Sequence, residues 1–152
     1  MIQNLRQTRG QRGFTMIEII SVLLIIGIIA IVAVVRLSST SAYDLASQLE
    51  VLKAHLRLAQ YRAMSANVAY GINFNSTTTY YLFKESDSTT AIMFPGESSA
   101  TVDLTAKKSG LTITSAPQTI TFDAYGNPGA STITVTTNGG NITITKNTGF
   151  IP

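Results

Sequence analysis

Between Gly13 and Arg36 the chain carries one long apolar run. Residues 19 to 35 hold no charge and are almost entirely Ile, Val, Leu and Ala, with a single acid, Glu18, just ahead of them. From Phe14 to Val35 the run predicts a helix of about 22 residues and about 33 Å, enough to cross a hydrocarbon layer of about 30 Å. A secretory signal is shorter and ends in a small-x-small cleavage site. Here no convincing site follows, and the helical pattern continues. Leu45, Leu49, Leu52, Leu56, Ala59 and Ala63 step alternately by four and three, one continuous face of an amphipathic helix. No Pro or Gly interrupts residues 28 to 70. The pattern therefore predicts one helix from Phe14 to about Ser65, membrane-embedded over 14–36 and amphipathic over 37–66.

After Asn67 the period falls to two. "VAYGINFN" and "TTTYYLFK" predict two strands joined through Asn75 and Ser76. "AIMF" reads as a strand ending at Pro95, then "ATVDLT" and "LTITS", separated by a turn near Lys107 to Gly110. "QTITFD" precedes the turn cluster "AYGNPGAS". "TITVTTNGGNITITKN" predicts a closing hairpin about Asn138-Gly139-Gly140, with Ile133 and Val135 facing the same side as Ile142 and Ile144. The Thr residues between them face outward, as in a half-solvated antiparallel sheet. The expected fold class is α+β: a long N-terminal helix packed on an antiparallel β domain over 67–152.

Charge alters this picture at one end only. The formal net charge is +3. Arg6, Arg9 and Arg12 supply all of it, because removing three from eleven Lys and Arg leaves eight against eight Asp and Glu. A short basic segment before an apolar run holds the amino terminus in the cytoplasm. In the last forty residues the only positive charge is Lys146, and Lys107 with Lys108 is a pair rather than a patch, so nucleic-acid binding has little electrostatic support. Without cysteine there is no disulfide framework, thiolate metal site or Cys nucleophile.

No catalytic set emerges. The single histidine, His55, lies beside Leu56 with Lys53 and Arg57 as neighbours and is expected on a solvated helix position. Glu85 and Asp87 sit in the polar stretch "KESDSTT" and are expected to solvate a loop. Asp123 and Asn127 in "DAYGNPG" fall short of the regular oxygen ligands of a calcium loop. "NGGN" is followed by no helix and cannot form a phosphate loop. The reading is a non-enzyme with no cofactor and no metal.

The stretch "RGFTMIE" and the apolar run behind it resemble the start of type IV prepilins and type II secretion pseudopilins. Arg12, Gly13, Phe14, Thr15, Ile17 and Glu18 match that pattern; Met16 stands where Leu is commoner. The resemblance implies that a prepilin peptidase cuts between Gly13 and Phe14, removing the leader 1–13, and that Phe14 becomes N-methylated. It also implies a role for Glu18 in assembly. A carboxylate deep in a bilayer costs about 2.5 kcal/mol or more. The carboxylate of one subunit meeting the Phe14 amine of its neighbour would neutralise both charges only in the filament.

Two departures are visible. Val35 stands where many members have proline, so no kink is expected there. A C-terminal disulfide loop, common in major pilins, cannot form without cysteine. "RAMSANVAYGINFN" and "ITFDAYGNPG" followed by a final hairpin look like the H-type minor pseudopilins and the FimT-like minor pilins. The implied function is a structural subunit, of the minor kind, of a type II secretion pseudopilus or type IV pilus. Its implied partners are other pilin or pseudopilin subunits, the prepilin peptidase, the inner-membrane assembly platform and lipid. The expected location is the inner membrane, single-pass, with the C-terminal domain periplasmic, and then the filament. A major pilin, or a minor pilin that captures DNA, is the alternative.

Overall fold

The computed structural model describes residues 13–37, 40–85, 87–107 and 109–152, and the chain divides into two compact units at Ser39 and Thr40. The first unit contains helix α1, Met16–Leu37. Its backbone runs through Val35, whose amide is intact where a proline would remove it. The predicted continuity of this helix with the amphipathic one crosses residues 38 and 39, which lie outside the described residues, as do residues 1–12 of the leader.

The second unit opens with helix α2, Thr40–Ala66. Asn67 ends it with φ of 53°, the left-handed conformation that commonly closes a helix. Strands β1 (Tyr70–Phe74), β2 (Thr79–Lys84), β3 (Asp87–Ile92), β4 (Thr101–Asp103) and β5 (Gln118–Phe122) form one antiparallel sheet, ordered β3-β2-β1-β5. The outer edge of β2 is shared: β4 pairs with Thr79 to Tyr81, and β3 with Leu82 and Lys84. Strands β6 (Ile133–Thr137) and β7 (Gly140–Ile144) form a separate hairpin.

Period two decides which face of the sheet meets α2. Ile72 pairs with Leu82 on one side and Ile120 on the other, and Phe74 pairs with Tyr80. Residues opposite one another share a face, and all five are fully buried. Leu52, Leu56, Ala59 and Ala63 of α2 belong to the same core, and Leu45 and Leu49 pack against it as the periodicity predicts. The two alanines are short enough for the helix backbone to sit close over β1. Val135 pairs with Ile142 and Ile133 with Ile144, the predicted hairpin register, and this face joins the same core.

The strand pattern departs from expectation in three places. β3 begins at Asp87, inside the stretch read as a loop, because the Asp87 carboxylate accepts from the amides and hydroxyls of Thr89 and Thr90. Those bonds hold its carboxyl down at about 2. Met93 and Phe94, read as strand, leave the sheet; Phe94 turns inward and is buried. "LTITS" forms one bridge, Ile113 with Thr137, and turns at Thr114 and Ser115. Its amides go to separate acceptors, Thr112 donating to the Asn138 side chain, Ile113 to the Thr77 carbonyl, and Thr114 and Ser115 to the Thr136 carbonyl, so it extends neither sheet. The β6–β7 connection is Asn138-Gly139, and Gly140 is already the first residue of β7.

Candidate functional site: the start of the apolar helix

The residues singled out by sequence lie at the beginning of α1. Gly13, Phe14 and Thr15 are non-helical, and the helix starts at Met16. Thr15 is the residue that stops it. The Glu18 amide donates to the Thr15 hydroxyl at 3.3 Å and to its carbonyl at 3.1 Å, and the Ile19 amide donates to the same carbonyl at 3.2 Å. A Thr whose hydroxyl accepts from the amide three residues on is a helix N-cap. Thr15 and Glu18 thus stand at the Ser/Thr-x-x-Glu spacing of a helix start, a signal legible in the sequence that the reading above did not use. One turn further, the Ser21 hydroxyl donates to the Ile17 carbonyl at 2.7 Å, so its polar group is satisfied within the helix.

Glu18 occupies the first turn of α1, where the helix dipole favours negative charge. Phe14 is 79% exposed, and Gly13 and Glu18 are exposed as well. The large apolar side chains from Met16 to Val32 are all exposed, which water does not tolerate in a run of this size. Among the described residues, Met16–Ala33 is the stretch long and apolar enough to cross a membrane.

The β domain contains a buried polar cluster that the sequence did not announce. His55, expected on a solvated position, is only 9% exposed. Its Nδ1 lies 2.9 Å from the Tyr80 hydroxyl, and its ring stacks on Phe94 with centroids 4.0 Å apart and planes inclined by 13°. The missed signal is spacing: His55 is three residues after Leu52 and four before Ala59, on the buried face of α2. Burial pushes the imidazole below its ordinary value, with Glu97 opposing the shift and Lys107 adding to it. Burial likewise raises the Tyr80 phenol far above its usual range. Both groups are therefore neutral near pH 7, and their shared hydrogen bond fastens α2 to β2. Asp123 is also structural: one carboxylate oxygen accepts from the Tyr125 and Asn127 amides, both at 2.9 Å. Among the described residues no group of three or more His, Cys, Asp or Glu is placed to hold a metal ion.

An uncovered apolar helix led by a capped first turn, with an α+β domain in the second unit, defines a protein of the pilin-like class, anchored by one N-terminal helix. Residues 8–34 match the prokaryotic N-terminal methylation motif. Residues 48–149, more than half of the 152, match the type II transport protein GspH, and the chain belongs to that family of pilin-like minor subunits. A crystal structure of the type IV minor pilin FimU from Pseudomonas aeruginosa is similar at 21% identity over 75% of this chain and 90% of that one, with a TM-score of 0.43. No curated protein matches.

Proposed function

We propose that this minor subunit is stored in the inner membrane, cut between Gly13 and Phe14, N-methylated on Phe14 and then assembled into a helical filament. The filament is a type II secretion pseudopilus or a type IV pilus. The observation that carries the reading is Glu18, an exposed first-turn carboxylate at the head of an exposed apolar helix, inside a matched methylation motif. The arginines of the leader hold the amino terminus in the cytoplasm, and the β domain enters the periplasm. After the cut, the Phe14 amine and the Glu18 carboxylate are four residues apart in each subunit. A small axial rise between neighbours brings the carboxylate of one to the amine of the next, and the apolar faces of their α1 helices cover each other.

The identity of residue 13 supports the same reading. A side chain added at Gly13 would meet no described atom within 4 Å. The chain's own packing therefore does not call for glycine, whereas close approach of a protease to the backbone does. Gly13→Val is expected to leave the full-length precursor in the membrane, while the wild type yields a mature amino terminus at methylated Phe14. Mass spectrometry of the membrane-extracted protein checks both. A wild-type terminus at any other residue overturns the reading.

A further inference from the structure

We infer that Thr15 is a positioning residue for maturation: its hydroxyl caps α1 at Met16 and keeps the Gly13–Phe14 bond outside the helix, in a form a peptidase can bind. The inference rests on the processing proposed above. Hydrolysis adds one water across that amide, leaving a carboxylate on Gly13 and an amine on Phe14. Peptidases hold the substrate backbone extended, because the scissile carbonyl must be open to attack and its neighbours must bond to the cleft. A helical amide offers neither, since its carbonyl is engaged four residues on and side chains ring the backbone.

The structure places the helix boundary two residues beyond the bond. Gly13 and Phe14 are exposed and non-helical, and Thr15 satisfies the Glu18 amide through its hydroxyl at 3.3 Å and the Ile19 amide through its carbonyl at 3.2 Å. The first amides of a helix lack intrahelical acceptors, and at a membrane surface that deficit favours growth of the helix toward the amino terminus. Thr15 supplies the acceptor and halts the growth. With alanine there, the strongest helix former replaces the stop signal. The next residue able to cap is Gly13 itself, which would bring Phe14 into the first turn.

The test uses the full-length precursor in proteoliposomes, a limiting amount of purified prepilin peptidase, and the initial cleavage rate followed by mass spectrometry. Four chains are compared: wild type, Thr15→Ala, and the cap-competent Thr15→Ser and Thr15→Asn. Hydrogen exchange of the amides at 14–16, measured before peptidase is added, reports where the helix starts. Thr15→Ala is expected to be cut about fivefold more slowly, the population change that loss of a typical cap produces, with slowed exchange at Phe14. Ser and Asn are expected to stay within about twofold of wild type. Equal rates for all four overturn the inference while leaving the processing intact. Ser and Asn as slow as Ala overturn it too, because the peptidase would then be reading the threonine side chain itself. A wild-type precursor left uncut at Gly13–Phe14 overturns the processing, and the inference with it.

Discussion

Gly71 sits in the central strand β1, opposite Phe83 on one side and Thr121 on the other. A Cβ there would clash with the Phe83 ring and the Ile120 carbonyl. Phe83 points away from α2 and is nevertheless buried, because its ring lies in the space that glycine leaves. Gly71→Ala forces that ring or the strand to move, and overpacking of this kind costs about 1–3 kcal/mol; urea denaturation of the β domain measures it. His55 governs the response to acid at the same scale. Its folded-state value is depressed below the ordinary 6.5, by burial first. The unfolded chain therefore binds the proton more readily. The stability tied to neutral His55 is present in full above about pH 6.5 and is lost as pH falls through the folded value. His55→Gln keeps an acceptor for the Tyr80 hydroxyl but cannot titrate. Between pH 7 and pH 5 the wild-type melting temperature is expected to fall more steeply than that of the variant; parallel curves would show that His55 does not carry the acid response.

Each helix is stabilised differently. The apolar side chains of α1 from Met16 to Val32 are exposed, and lipid or the helices of neighbouring subunits are the cover we propose for them. α2, by contrast, is held by one stripe. Leu52 and Leu56 are fully buried in the core that also holds Ile72, Phe74, Val135 and Ile142, and Arg57 donates to the Ile151 carbonyl while Gln60 donates to those of Gly126 and Thr148. Leu52→Ala is expected to destabilise the unit Thr40–Pro152 by about 2–5 kcal/mol, read from the shift of its denaturation midpoint. An unchanged midpoint would mean that the helix–sheet seam is not where the stability lies. The β6–β7 hairpin meets the other end of the same helix, where a side chain at Gly139 would run into Leu45.

For the whole molecule, the proposed pairing gives the head of α1 a task apart from that of the β domain. Glu18 belongs to the first unit and lies outside the packed domain. Glu18→Ala removes a charge that lipid disfavours, and Glu18→Gln keeps the shape without the charge. Both are expected to insert in the membrane and accumulate as folded subunits, yet to enter filaments poorly, since neither neutralises a neighbour's Phe14 amine. Subunit in membranes is quantified against subunit in sheared filaments. Wild-type incorporation of both variants would show that the pairing is dispensable.

Composition alone determined α1, because crossing a bilayer requires only a long uncharged helix, and the residues flanking it fix the match to the methylation motif. Local periodicity determined the core stripe of α2 and the register of Ile133 and Val135 against Ile144 and Ile142, since adjacent turns or strands supply the partners. Tertiary structure decided the rest, in each case because the deciding partner is remote in sequence. His55 is buried because Phe94, from the segment after β3, stacks on it and Tyr80 bonds it. "LTITS" fails to become a strand because the Asn138 side chain and the Thr77 and Thr136 carbonyls divide its amides. Gly71 is required because Phe83 occupies the place of its side chain. A pattern of apolar positions states which face turns inward, but not which distant group will meet it there.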